Sequence, residues 1–297
     1  MSKLRIGVVG IPGKWSTETL ADEVAARTGF RLVIDMAQVT HDLSNNKLMF
    51  QEHDLCELDA IIVKKISSEY SPNTLDRLEL LRVAESYGVH VFSGAENMLR
   101  LVNRLSCTVT MRNGGVPMPD TTITEDIETA IKAVHDYGEA VFKPLFSTKA
   151  RGMCVFNANQ PEKELRKDIE TFQSENAMMY IQQKLNLSGQ DLGLVFLGGE
   201  YLGTYARISG DSDTWNTTIN SGGRYAAYTP SDEIIAIAEN AQSLFGLDFT
   251  TVDVAESEQG PIVFEVSAFG GFRGAQEGAD LDAANLYVNY VLNKIAG

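Results

Sequence analysis

The stretch PIVFEVSAFGGF, residues 261–272, reads as a buried strand around Ile262, Val263, Phe264 and Val266, yet it carries Glu265 in its middle. An ionised carboxylate withdrawn from water without a partner costs several kcal/mol, so Glu265 must face something. Asp253 lies between Val252 and Val254 on the preceding run of the same expected hairpin, residues 249–255 returning as 261–268. Side chains two apart in a strand share a face, which groups Glu265 with Ser267 and sends Phe264 and Val266 to the other side. Two carboxylates about 4 Å apart repel by roughly 4 kcal/mol at an effective dielectric near 20. A hard divalent ion, held by carboxylate and hydroxyl oxygens and completed by phosphate, is the chemistry such a pair suits. Two acids pointing into water from an open sheet face are the other arrangement the spacing allows.

Two cations sit in similar surroundings. Lys143 lies inside EAVFKPLF and Arg207 ends GTYARI, both apolar strands in which a charge needs a partner. Taken singly, Lys143 also fits a side chain snorkelling to a strand edge, and Arg207 a plain ion pair. Together, two acids, two bases and a divalent ion form a set that could neutralise a triphosphate.

The composition narrows the classes of partner. A net charge of −15 over 297 residues, without Lys/Arg clusters, argues against a nucleic-acid backbone as ligand. No apolar run reaches the roughly 20 residues of a membrane span, and MSKLRIGVVG leads straight into a strand rather than a signal peptide, so a soluble cytoplasmic protein is expected. Cys56, Cys107 and Cys154 are odd in number and set among apolar neighbours, as reduced core thiols are. The four histidines show no zinc-ligand spacing.

The elements that must position these groups follow from the pattern. LRIGVVG, FRLVID, LDAIIVKK and VHVFSG are short apolar runs of the buried parallel type, separated by helical spacing over 17–27 and 72–87, which gives an open α/β sheet. GIPGKWST has two residues between its glycines where a P-loop needs four, so Ser16 or Thr17 is expected to cap a helix with Glu18 in its first turn; a substrate anion at that helix start is the alternative. It lacks the dinucleotide-binding glycine spacing as well, and Asp35 alone supports a dinucleotide-dependent oxidoreductase weakly. Beyond Gly94, one helix is expected over 95–113, the extended VPMPDT, and a helix over 126–137. Then come the strands EAVFKPLF, GMCVFN and YIQQKL, and a hairpin LGLVFL–EYLGTYARI turning at Gly198-Gly199. A helix over 232–245, the acidic hairpin and a closing amphipathic helix over 281–295 complete the chain.

This order of pieces resembles the ATP-grasp superfamily, in particular the RimK-type glutamate ligases. The resemblance rests on KWSTETLADEVAARTG, the run from GVHVFSGAENMLRLVNRL through GGVPMPDTTIT, VFKPLFSTKARGMCVF, YIQQKL, QDLGLVFLGGEYLGTYARI, WNTTINSGG and GLDFTTVDVAESEQGPIVFEVSAFGG. It implies an open parallel N-terminal α/β domain, residues 1–94, followed by two α+β subdomains, 95–182 and 183–297, that grip ATP. Carried over by position, Arg104 and Lys143 match the phosphate-contacting cations, and residues 147–152 match the loop that covers the phosphates, with Ser147, Thr148, Lys149, Arg151 and Gly152 among its contacts. Gln182, Gln183 and Leu185 match the adenine-binding hinge, Asp191 a residue lining the nucleotide site, and Asn216, Thr217 and Thr218 a stretch reaching ATP. Arg207 is implied to face the transferred phosphoryl group; Asp253, Glu265 and Ser267 match the metal ligands.

What the resemblance implies is amide formation through an acylphosphate, with ATP and Mg²⁺ as cofactors, two ions in the site and Mn²⁺ as a substitute. The partners implied are a small-molecule or peptide carboxylate and an amine, and a homo-oligomer is expected. The chain departs from the family pattern in several places. Ser267 replaces the usual asparagine ligand, Gly193 an arginine common in relatives, and the covering loop FSTKARG keeps one glycine. AFGGFRG stands where relatives carry Ser-Pro-Gly, so Arg273, with Ser16, is a candidate substrate contact. These changes also fit a nucleotide-binding partner protein that turns ATP over weakly.

Overall fold

A computed structural model describes residues 3–148, 150–187, 189–209 and 222–296. Lys149, Asn216, Thr217 and Thr218, all named above, lie outside the described residues. The N-terminal region comprises β1 (Ile6–Val9), α1 (Trp15–Thr28), β2 (Val33–Ile34), a small antiparallel sheet of β3 (Thr40–Asp42), β4 (Lys47–Phe50) and β5 (His53–Asp54), then β6 (Ala60–Val63), α2 (Pro72–Ser86) and β7 (His90–Phe92). Its parallel sheet has the order β2-β1-β6-β7. All four residues of β1 and of β6 are buried, as apolar runs covered on both faces must be.

The start of α1 differs from expectation. Lys14 is its N-cap and makes no side-chain cap bond. Thr17 is buried instead beneath Gly10, where an added β-carbon would come within 2.4 Å of its methyl, and its hydroxyl accepts from Ile11 N at 3.2 Å. The tight passage from β1 into α1 claims Thr17 for packing, and Glu18 satisfies the turn by accepting from Gly13 N at 2.6 Å. Asp35 caps the 3₁₀ turn Met36–Gln38, accepting from Ala37 N.

Residues 95–113 form two helices, not one: α3 (Ala95–Val102) and α4 (Arg104–Asn113). Asn103 breaks them by adopting extended backbone and accepting from Leu105 N at 2.8 Å, since an Asn side chain competes for backbone donors best at a helix start. The break puts Arg104 at the first position of α4.

The central sheet is β10-β9-β11-β8, formed by β8 (Thr121–Thr124), β9 (Glu139–Lys143), β10 (Cys154–Asn157) and β11 (Met179–Gln183). Helices α5 (Ile127–Tyr137) and α6 (Glu162–Glu175) cover one side of it, and they enclose a core of their own in which Phe142 meets Phe156 and Phe172 edge-on. Asp126 caps α5, accepting from Thr129 N.

The C-terminal sheet, β14-β13-β12-β15-β16, is built from β12 (Gln190–Leu197), β13 (Glu200–Ile208), β14 (Arg224–Ala227), β15 (Phe249–Ser257) and β16 (Gly260–Ser267). Helices α7 (Asp232–Ser243), α8 (Phe272–Ala279) and α9 (Ala283–Ala296) pack on it; α9 begins two residues later than expected because Asp282 caps it through Asn285 N. Two apolar clusters run continuously from the N-terminal sheet into this one, one joining Val9 and Ile61 to Leu194 and Val252, the other Ile6 and Leu20 to Phe249 and Val288.

Candidate active site

One face of the C-terminal sheet carries the chemistry, and strand register explains why. Tyr205 of β13 opposes Gly193 of β12, Gly193 opposes Asp253 of β15, and Asp253 opposes Glu265 of β16, forming a row across four strands. Arg207 and Asp191 pair one step along the first two strands. On the other face Leu192, Leu194, Val252, Val254, Val263 and Val266 are buried in the core. A bulge between Asp253 and Val254 leaves Phe264 without a register partner. Phe264 therefore does not follow Val266 into the core as strict alternation predicts; it is half-buried, and the Lys143 ammonium lies 5.5 Å from its ring centre.

Arg207 is tied into the acids of this face. Its Nε donates to both oxygens of Asp191 at 3.1 Å, its Nη2 donates to Asp191 Oδ2, and the same Nη2 lies 3.0 Å from Asp253 Oδ2. Burial works against the guanidinium charge, but Asp253 and Asp191 outweigh it and hold Arg207 protonated well above its usual range. Burial pushes the Asp253 carboxyl up; Arg207 opposes the shift, while Glu265 and Asp191 add to it. Asp253 Oδ1 is buried with no hydrogen-bond partner.

The second group of cations reaches across from the central sheet. Lys143, at the end of β9, donates to Gln182 Oε1 at 2.5 Å. Burial, reinforced by Arg104 and opposed by Glu265, lowers Lys143 to about 7. Arg104 Nη1 stands 3.3 Å from Glu265 Oε2, its Nη2 3.5 Å from Ser147 Oγ, and its backbone N–H donates to Leu145 O. Gln182 is buried, and its amide donates to Thr121 Oγ1 and Tyr180 Oη, so its side chain locks β11 to β8. Gln183 N–H is bonded to Asp120 O, and Leu185 follows β11 in the segment leading to β12. Thr148, Arg151 and Gly152 lie on the turn between β9 and β10; Gly152 takes a φ of 67°, and Arg151 reaches Glu69 of the N-terminal region at 2.5 Å.

Ser267 stands two residues from Glu265 and opposite Thr251, on the same face as the acids. The oxygen donors of Asp253, Glu265 and Ser267 fit a hard divalent ion, and the orphaned Asp253 Oδ1 is an oxygen that such an ion would satisfy. No group of three or more His, Cys, Asp or Glu side chains is arranged for metal binding among the described residues, so ligand oxygens would have to complete the shell. Arg273 lies against the start of α1 instead: its guanidinium is 5.4 Å from the ring centre of Trp15, the residue before Ser16, and 3.6 Å from Glu277. A cleft of about 260 Å³ opens there, lined by Trp15, Phe272, Gln276 and Asp282 among others.

Several residues of this region escape sequence reasoning. Lys64, just beyond β6, is buried, donates to Gly270 O at 2.7 Å and stands 4.4 Å from the Phe272 ring centre. Lys65 reaches Tyr70 Oη at 3.1 Å and lies 5.5 Å from the centre of the Phe269 ring. The available signal was a charged pair at the carboxyl end of a parallel strand beside a topological switch, where open α/β sheets bind ligands. Tyr205 escapes too. A β-carbon at Gly193 would fall 2.3 Å from its ring, so its side chain fills the space in which an arginine at 193 would have to lie.

A model of the RimK-like ATP-grasp domain matches residues 102–291. The tetrahydromethanopterin:alpha-L-glutamate ligase of Methanosarcina acetivorans is 24% identical over 270 residues, 86% of this chain and 83% of that protein. Among solved structures, the ATP-grasp ligase PsnB complexed with a phosphomimetic variant of its minimal precursor, Mg and ADP superposes with a TM-score of 0.75 at 19% identity, covering 99% of each chain. The D-alanyl-alanine synthetase A of Vibrio cholerae superposes with a TM-score of 0.74 at 14% identity over 100% of both chains. With its acid row and bridging cations on that shared architecture, and the family model spanning most of the sequence, the chain belongs to the RimK-like ATP-grasp family.

Proposed function

We propose that this protein is an ATP- and Mg²⁺-dependent carboxylate–amine ligase, joining an amino acid to a small molecule, peptide or protein with release of ADP and phosphate. The observation that carries the reading is the Asp253–Glu265 pair, with its unpartnered buried oxygen, enclosed by Arg207, Arg104 and Lys143. Asp253, Glu265 and Ser267 would hold the metal, which when bound supplies charge neutralisation to the phosphates; two ions, replaceable by Mn²⁺, belong to the same proposal.

Each side chain then has a proposed role, which for Lys149, Asn216, Thr217 and Thr218 rests on the family resemblance alone. Lys143 and Arg104 bind phosphate oxygens from the central sheet. Ser147, Thr148, Lys149, Arg151 and Gly152 cover them and exclude water. Gln182, Gln183 and Leu185 flank the base, with Asp191, Asn216, Thr217 and Thr218 along the nucleotide. Arg207 balances charge that builds on the transferred phosphoryl group. The substrate carboxylate receives that group, and an amine displaces it; positioning and fixed charge supply most of the rate.

The division into residues 1–94, 95–182 and 183–297 is supported by the three main sheets, with β11 ending at Gln183. A cytoplasmic homo-oligomer without nucleic-acid partners completes the proposal; no helix of the described residues is long and apolar enough to cross a membrane. The test has two stages. Mg-ATP should raise the melting temperature of the purified protein, and screening ADP release against pooled amino acids, short peptides and polyamines should find an acid–amine pair. Absence of any metal-dependent nucleotide shift would refute the reading.

A further inference from the structure

Tyr205 is 3% exposed, and among the described residues its hydroxyl has no hydrogen-bond partner. The ring is enclosed, but its hydroxyl is not sealed from solvent, so a donor left free at this point is open to an incoming acceptor. Its surroundings show where one would come from. The ring lies between the sheet at Gly193 and helix α8 at Gly274; β-carbons added there would fall 2.3 and 2.4 Å from Cζ. Tyr225 closes a third side edge-on at 5.4 Å between ring centres. The hydroxyl emerges at Gly271, where an added β-carbon would lie 3.2 Å from it.

Gly271 is the N-cap of α8, whose first backbone N–H groups lack intrahelical carbonyls. A helix start and an unpaired O–H thus converge on one point. That point adjoins the acid row, because Gly193 is the direct neighbour of Asp253. Burial raises the phenol above its ordinary range, with Asp253 contributing and Arg207 opposing, so the group is a hydrogen-bond donor throughout the neutral range. The acids and Ser267 already offer a metal its oxygen lone pairs, which leaves the phenol O–H free as a donor. It suits an anionic oxygen of a substrate.

We infer that Tyr205 Oη, together with the backbone at the start of α8, is the hydrogen-bonding subsite for the carboxylate that this enzyme activates. The inference deepens the ligase reading and rests on it. The O–H donates and keeps its proton; no bond of the phenol is made or broken. The glycines at 193, 271 and 274 are the space the ring and substrate require, and the walls they form carry no formal charge. The subsite therefore holds the reacting carboxylate by hydrogen bonds, with Arg207 as the neighbouring cation.

The experiment uses the full chain labelled with 3-fluorotyrosine, in which the resonance of Tyr205 among ten tyrosines is identified by its loss in Tyr205→Phe. Acetate, a minimal carboxylate, is titrated into the protein with and without Mg-ADP and followed by ¹⁹F NMR. The expected result is a saturable shift of the Tyr205 resonance, with that of Tyr228 unmoved. In Tyr205→Phe, Mg-ATP should still raise the melting temperature as in the wild type, while turnover of any acid found by the ADP-release screen falls about 10²-fold, mostly in kcat, as for loss of one donor to a developing oxyanion. A Tyr205 resonance indifferent to acetate while Mg-ADP binds would show a packing ring only and overturn the inference. Failure of Mg-ADP to stabilise the protein would refute the ligase reading instead, and an acetate shift without nucleotide would then still support the carboxylate subsite.

Discussion

The two cationic groups around the acid row are built differently. The Arg207 knot lies within one sheet: strand register places Asp191, Arg207 and Asp253, and the guanidinium is hydrogen-bonded to one carboxylate and ion-paired to the other. The Arg104–Lys143 bridge spans two sheets, its lysine held by a neutral amide and its arginine facing a Glu265 whose side chain is 44% exposed. The difference teaches that the first group is part of the folded scaffold, whereas the second is poised for a ligand. A guanidinium buried between two carboxylates stabilises its own geometry; an ammonium buried against a neutral amide is available to an incoming anion.

The strongest way to break this comparison is Arg207→Met. It strands two buried carboxylates and should cost about 3–5 kcal/mol in urea unfolding, whereas Lys143→Met should cost under ~1 kcal/mol because no acid depends on it. Equal losses would abolish the distinction. The next effect concerns nucleotide. Saturation at 100 times Kd stabilises a protein by about 2.7 kcal/mol, and Lys143→Ala and Glu265→Ala should each forfeit most of it while the apo protein stays folded. Unchanged Mg-ATP shifts in thermal denaturation of both variants would remove these residues from the site.

Titration sharpens the contrast, since Arg207 holds its proton more tightly than usual and Lys143 less tightly. Lys143 falls from an ordinary 10.5 to about 7, chiefly through burial, so between those values the unfolded chain binds the proton that the folded one releases. Stability contributed by this group is therefore expected to rise with pH across that window, by at most ~1.4 kcal/mol per pH unit. Lys64, lowered to about 7 by burial and then by Lys65, acts in the same direction. Urea unfolding from pH 7 to 10 should accordingly show a shallower rise in Lys143→Met and the flattest profile in the double variant with Lys64→Met. The smallest effect is predicted for Arg151→Ala. Its pair with Glu69 is exposed, so stability should change by less than about 0.5 kcal/mol and ATP affinity should fall less than in Lys143→Ala, as isothermal titration would measure.

Legibility in the sequence tracked locality. Asp253 and Glu265 could be brought opposite each other because one hairpin contains both, and alternation correctly assigned their shared face. The same rule misplaced Phe264, because a bulge changes the count without leaving a mark in composition. The helix break at Asn103 was missed for a related reason: residues 95–113 hold enough helical spacing to read as one element, and only contact with the turn after β9 shows why Arg104 must begin a new helix.

What the sequence determined alone was therefore the list of elements, most of their order, and the presence of charges too deeply set in apolar strands to be incidental. Tertiary structure decided which charges are already spent. Whether a glycine is a loose joint or the floor under a tyrosine ring depends on α8 packing back across β13, and whether a lysine is paired depends on β9 and β11 meeting in one register. Side-chain periodicity is a property of neighbours along the chain; desolvation and pairing are properties of neighbours in space, and these arise only once the sheets have closed on one another.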